Sequence, residues 1–157
     1  MMNKPEYGDT RDCDIRLLRE TDLPAYKTLR DSMLARHPQA FTSDAETELS
    51  RDAASYRSRL GGDGPALFSL GAWQGPRLVG AISTEREPRL KVRHIAHIVG
   101  MMVSDELQGR GIGAALLDGA LRLLQAQPEL DLVVLSVTSS NAAAVRLYRS
   151  RGFERYG

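Results

Sequence analysis

Residues 108–114 read Gln108, Gly109, Arg110, Gly111, Ile112, Gly113 and Ala114. Three glycines alternate with other residues between an apolar, strand-like stretch (96–103) and a helix-like stretch (112–126). Glycine reaches backbone conformations that other residues resist and lets a ligand approach the main chain. The first turn of a helix holds N–H groups without an internal partner, and its dipole favours negative charge. A strand that runs through such a turn into a helix belongs to an α/β chain and makes a seat for a phosphate or pyrophosphate.

The readings of this loop separate on the residues around it. A P-loop needs Gly-Lys-Ser/Thr after its glycines, and this chain has none. Gly109, Gly111 and Ala114 satisfy the dinucleotide pattern G-x-G-x-x-A literally. That pattern normally opens its fold, with several β-α units after it, whereas here only about a third of the chain remains. The acidic residues about 20 positions on, Glu129 and Asp131, fall before the next strand and not at its end. A glycine loop that serves close packing alone is the remaining alternative.

Composition narrows the ligand further. The net charge is +1, so no overall polycation is available to clamp nucleic acid, and any anion site is local. The 157 residues, 42% hydrophobic and 26% charged, suit one ordinary globular domain. No run approaches the roughly 20 apolar residues of a membrane span. Cys13 is the single cysteine, which excludes an internal disulfide and suits a reducing compartment. The first residues are polar and lack the apolar segment of a signal peptide. A cytoplasmic chain is expected, with residues 1–13 as a polar tail and 14–157 as one domain.

Periodicity orders the rest. A short strand is expected over residues 14–18. A helix follows, capped by Thr21, with Pro24 in its first turn and Leu23, Tyr26, Leu29, Met33 and Leu34 at helical spacing. The pair His37-Pro38 ends it. A second helix is expected from Ser43 or Asp44 to Leu60. Strands over 66–73 and 78–84 flank a turn at 74–76 and read as a hairpin. A long strand is expected over 91–103. The helix after the glycine loop carries Ile112, Leu116, Ala120 and Leu123 on one stripe and Leu117, Leu121 and Leu124 on the next, a face suited to covering a sheet. Residues 132–137 read as an apolar strand buried on both faces. A last helix over 141–151 ends at Gly152.

That last helix begins a second constellation: Asn141, Ala142, Ala143, Ala144, Val145, Arg146, Leu147, Tyr148, Arg149, Ser150, Arg151, Gly152, Phe153. At this point the chain resembles the GNAT family of acyl-CoA-dependent N-acyltransferases. Gln108, Gly111 and Gly113 match that family's Q/R-x-x-G-x-G/A pyrophosphate loop. Residues 141–153 match its N-x-x-A-x-x-L-Y-x-x-x-G-F helix, in the family's order and spacing. The close resemblance covers about residues 94–155, and the preceding β-α-α-β-β pattern agrees more loosely.

The resemblance implies a mixed central sheet, flanked by helices, in which two parallel strands ending at Val103 and Val137 splay apart. Acetyl-CoA would lie in the gap, with no metal required. Its pantetheine arm would pair with the backbone of Met101, Met102 and Val103. Its pyrophosphate would take N–H groups from Gly109, Arg110, Gly111, Ile112, Gly113 and Ala114, with Gln108 opening the loop. Arg110 is either added charge near the phosphates or a solvated side chain. Asn141 is implied as a partner of the pantetheine and would serve equally as a plain helix cap.

Direct transfer to a primary amine, in a ternary complex, needs a base, an oxyanion donor and an acid for the leaving thiolate. Tyr148 occupies the position at which the family's tyrosine points at the cofactor sulfur, and a phenol stays protonated at neutral pH. On periodicity alone it reads as a core aromatic. The oxyanion donor is implied to be a backbone N–H near Met102. Some members place a glutamate on the cofactor strand at the position of His97 here, and histidine titrates near neutrality. Others place one five residues before the motif asparagine, where this chain has Ser136. His94, which odd spacing puts on the opposite face of the strand from His97, and Glu85 and Glu87 are further candidates. The alternative function is a non-catalytic acyl-CoA-binding module on the same fold, and a third is a nicotinamide-dependent enzyme. The family continues past its Gly-Phe with a pair of strands, and this sequence ends at Gly157. An uncovered sheet edge, and with it a homodimer, is therefore expected. The acceptor amine is not readable from these residues.

Overall fold

The computed structural model describes residues 13–37, 45–60, 66–87, 89–137 and 141–156. Five strands form one sheet: β1 (Asp14–Leu17), β2 (Ala66–Gln74), β3 (Arg77–Arg86), β4 (Ile95–Val103) and β5 (Leu132–Leu135). They lie in sequence order, antiparallel from β1 to β4, with β5 parallel to β4. Gly75 and Pro76 close the β2–β3 hairpin, whose last pair is Gln74 with Arg77. A parallel β5 needs a crossover, and α4 (Ile112–Gln125) supplies it.

Helices cover the two faces separately. On one face α1 (Leu23–Arg36) buries Leu23, Tyr26, Leu29 and Met33 against Trp73, Leu78, Ala81 and Met102, joined by Tyr56 and Leu60. On the other face α4 buries Ile112, Leu116, Leu117, Ala120 and Leu124. All but Leu124 share one core with Ile15, Leu70, Val79, Ile82 and Ile98 of the sheet. Each such buried leucine or isoleucine contributes roughly 1.5–3 kcal/mol relative to exposure. Gly80 of β3 sets the close approach: a Cβ there would stand 3.1 Å from Leu116 Cδ1 and 3.2 Å from the Met102 carbonyl oxygen.

Four local expectations are corrected. Thr21 lies within a short 3₁₀ turn (Glu20–Asp22), and Asp22 is the N-cap of α1. The Asp22 carboxylate reaches back to accept from the Arg19 N–H at 2.8 Å. The helix expected up to Leu60 is broken into α2 (Ala45–Ser50), a 3₁₀ turn (Ala53–Tyr56) and α3 (Arg57–Leu60). Asp52 starts the 3₁₀ turn by accepting from the Ser55 N–H, a local bond that competes with helix continuation. Ser43, Asp44 and Pro38 lie outside the described residues.

The long strand expected over 91–103 begins at Ile95, after a 3₁₀ turn (Leu90–Val92). His94 therefore precedes the strand and does not alternate with His97 along it. β5 ends at Leu135, short of Val137, and is an edge strand with Leu132 48% exposed. An unbroken apolar run reads as a doubly buried strand, but among the described residues sheet order leaves this one with a single neighbour. α5 (Ala142–Ser150) follows, and among the described residues no strand comes after it. No helix among the described residues is long and apolar enough to cross a membrane.

Candidate active site

β4 and β5 pair only from Ile95 with Leu132 to Ile98 with Leu135. β4 then runs on to Val103 without β5 beside it. A bulge marks the same place: Thr84 faces Ile98 and Ser83 faces Gly100, which leaves Val99 between two pairs. A bulge reverses the alternation of side chains. Ile98, Met101 and Val103 thus pack on the α4 face while Met102 packs on the α1 face. The outer edge of residues 99–103 offers backbone groups to whatever fills the gap.

β4 leads directly into the glycine loop. Ser104 N–H donates to the Val79 carbonyl at 2.8 Å and anchors the strand end. A 3₁₀ turn (Asp105–Leu107) follows. Gly109 and Gly111 have φ of 82° and 84°, and Gly111 is the N-cap of α4 with no side-chain cap. Both conformations favour glycine because of the left-handed φ itself, since a Cβ at either position would meet no atom within 4 Å. Gly113 has no such need. It sits where elements converge, its Cβ position 3.8 Å from Met101 Cε and 3.9 Å from Val103 Cγ2 and Leu147 Cδ2. Gln108, Arg110 and Gly111 are exposed, Ala114 is half-buried, and Ile112 is buried in the core.

Gln108 Nε2 donates to the Val103 carbonyl and to Asp105 Oδ1, both at 3.2 Å. Its side chain therefore braces the loop against the strand end. Asp105 also accepts from Arg36 and stands 2.8 Å from His37 Nε2, which ties the end of α1 to the loop. His37 first, and Arg36 after it, hold the Asp105 carboxyl below the usual aspartate range despite some desolvation. Sequence reasoning missed Asp105. Its partner His37 is 68 positions away, and nothing local signals the pair.

Asn141 is the N-cap of α5, its Oδ1 accepting from the Ala144 N–H at 3.2 Å. About two turns later Tyr148 is buried, 9% exposed, edge-to-face with Phe153 at 5.8 Å between ring centroids. Burial pushes the Tyr148 phenol above the ordinary tyrosine value, so it remains a proton donor. Tyr148 and His97 line one cleft of about 1270 Å³ beside β5, together with Glu87, Val133 and Leu135. Residues 101–103 and the glycine loop lie beyond that lining. His97 Nε2 stands 3.3 Å from Glu87 Oε2. Arg89 first, and His97 after it, hold Glu87 below the usual glutamate range. Glu85 faces His97 in the β3–β4 register. Ser136 lies exposed just past β5, and Cys13 is buried in the core and does not line this cleft. Among the described residues, no group of three or more histidine, cysteine, aspartate or glutamate side chains gathers as metal ligands would.

A mixed sheet whose parallel strands part beside a glycine-opened helix is an acyltransferase-like α/β arrangement. The chain matches the family model described as "Acetyltransferase (GNAT) family" over residues 26–153. It belongs to the GNAT family. It is 32% identical over 138 residues to a mycothiol acetyltransferase of Geodermatophilus obscurus, covering 87% of this chain and 42% of that protein. The chain thus spans about two fifths of the length of that relative. It is 38% identical over 94 residues to the N-alpha-acetyltransferase RimI of Mycobacterium tuberculosis, covering 59% and 56% of the two chains. Its fold matches an acetyltransferase of GNAT family from Streptococcus pneumoniae with a TM-score of 0.76 and 22% identity, over 92% of this chain and 86% of that one.

Proposed function

We propose that this chain transfers an acetyl group from acetyl-CoA directly to a primary amine in a ternary complex. The observation that carries the reading is the parting of β4 from β5 after Ile98, with the glycine loop at the open end of β4. That arrangement fits the donor chemically. The unpaired edge at Met101, Met102 and Val103 suits an amide-bearing arm, which binds as an added strand would. The N–H groups of Gly109, Arg110, Gly111, Ile112, Gly113 and Ala114 suit a pyrophosphate, and Arg110 adds positive charge. Gln108 keeps the loop in place, as its two hydrogen bonds indicate. Asn141 commits its Oδ1 to the helix cap, so its Nδ2 is the group that donates to the arm.

In the reaction, the backbone N–H near Met102 supports the developing oxyanion. His97 takes the proton of the attacking amine, and Tyr148 gives its proton to the departing sulfur. Residues 14–157 act as one domain after a polar tail, in the cytoplasm. The half-exposed edge of β5 supports a homodimer, and a monomeric mass in solution would remove that idea.

The relatives carry names for different acceptors, so the acceptor is sought by experiment. Thiol release from acetyl-CoA should be followed with peptide N-termini, lysine, free amino acids, polyamines and aminoglycosides. Release that depends on one amine class is the expected result. Tight acetyl-CoA binding with no release across the panel would establish a non-catalytic binding module instead.

A further inference from the structure

Glu87 lies just past β3, and its backbone N–H donates to the Ile95 carbonyl at 3.0 Å, which fixes it beside the start of β4. Its carboxylate meets two side chains. Oε2 stands 3.3 Å from His97 Nε2, and Oε1 accepts from Arg89 Nε at 3.0 Å. The Glu87 side chain is 19% exposed and that of His97 38%. Both line the cleft that holds Tyr148. The other groups around His97 leave this contact distinct. Glu85 is its partner across β3, and Val134 is its partner on β5. The Arg86 guanidinium is engaged by the Arg93 carbonyl and Glu129.

We propose that Glu87 is the positioning residue for His97 and fixes which ring nitrogen accepts the amine proton. This rests on the reading of His97 as the base. An ionised carboxylate can only accept hydrogen bonds. Arg89 and His97 both favour the ionised form of Glu87. A neutral imidazole held against it carries its hydrogen on Nε2 and presents the lone pair of Nδ1. The transfer then balances. The amine nitrogen bonds to the acyl carbon, the carbon–sulfur bond breaks, and the amine proton passes to Nδ1 of His97. The sulfur takes the proton of the Tyr148 hydroxyl, and both side chains return to their starting forms by exchange with water.

Glu87→Gln in the full chain tests this, because an amide both donates and accepts and so releases the tautomer. NMR of isotope-labelled histidine nitrogens, taken with the ring neutral, should show one Nε2–H tautomer at His97 in the parent and a mixture in Glu87→Gln. The value of kcat/KM for the amine should fall about tenfold, as loss of one hydrogen bond to a charged group implies, with KM for acetyl-CoA unchanged. In a His97→Ala background the Glu87→Gln change should cost nothing further. A retained single tautomer in Glu87→Gln, or losses that add in the double variant, would overturn the proposal. A released tautomer with full turnover would remove His97 as base, and the proposal with it, while acetyl transfer itself stood. Absence of turnover in the parent with every amine would instead remove the proposed function, and the base-positioning role with it.

Discussion

Two helices of this chain follow the two parallel strands, and they begin differently. α4 follows β4 and opens on Gly111, left-handed at φ 84°, with no side-chain cap. α5 follows β5 and opens on Asn141, whose own amide oxygen satisfies the Ala144 N–H. The first helical bonds are alike, Ala115 to Gly111 and Val145 to Asn141, each 3.0 Å. What differs is who satisfies the orphan N–H groups of the first turn. In α5 the chain satisfies one of them itself, the Ala144 N–H, through the Asn141 side chain. In α4 the turn is left for water or an anion. Two equivalent positions in the topology thus take different work: α4 offers a charge-binding end, and α5 offers Tyr148 from its far side to the cleft.

The comparison breaks most visibly at Tyr148. Tyr148→Phe should lower kcat about a hundredfold, the lower part of the range for a general acid, and leave the Kd of acetyl-CoA within about twofold. Steady-state kinetics beside calorimetric binding measures both. Full turnover in the variant would take the chemistry away from α5.

Gly111→Ala should do the reverse. Forcing an alanine into the left-handed region costs roughly 1–2 kcal/mol, so acetyl-CoA should bind about tenfold more weakly if the loop relaxes to avoid it. Gly113→Ala is the matched control, since its Cβ meets only ordinary contacts at 3.8–3.9 Å. Equal binding losses at both positions would show that added bulk, not backbone conformation, governs the loop.

Asn141 sharpens the contrast by separating cap from ligand contact. Asn141→Ala should lower stability by about 1 kcal/mol, read as a drop in Tm. Asn141→Asp keeps an acceptor for the Ala144 N–H but loses the Nδ2 donor. It should hold the Tm and weaken acetyl-CoA binding modestly. Unchanged binding would confine Asn141 to its cap.

The smallest effect belongs to Asp105, which braces only the α4 side. Its carboxyl lies below the ordinary value of 3.8 in the folded chain, held there chiefly by His37. A lowered value contributes stability that is full above the ordinary range and is lost as pH falls through the lowered one. Asp105→Asn should therefore flatten the fall of Tm in acid and lower Tm slightly at neutral pH. An unchanged acid limb would show that the His37–Asp105 contact contributes nothing in solution.

Much of the site was legible because its residues are set by local needs. Gly109 and Gly111 adopt positive φ, and Asn141 can cap a helix without help from elsewhere. The helix faces were legible for the same reason: the buried residues of α4 recur at the helical period. The expectations that moved concern competition and neighbours. Asp52 stops a helix by offering a local bond that hydrophobic spacing does not register. The segment before Ile95 is turn, although its composition continued a strand. β5 is apolar yet half-exposed, because exposure depends on how many strands lie beside it.

The sequence by itself determined where backbone freedom and hydrogen-bonding termini fall: the glycine turn, the two helix starts, and the apolar faces that make an α/β sheet. These depend on residues a few positions apart, so their order in the chain carries the information. Only the tertiary structure decided that β4 and β5 part after Ile98, that a bulge at Val99 reassigns the faces, and that His97 meets Glu87 while His37 meets Asp105. His37 and Asp105 are 68 positions apart, and even His97 and Glu87, ten apart, meet only through the β3–β4 register. Their geometry comes from sheet register and from helices packed on opposite faces, which no local pattern encodes.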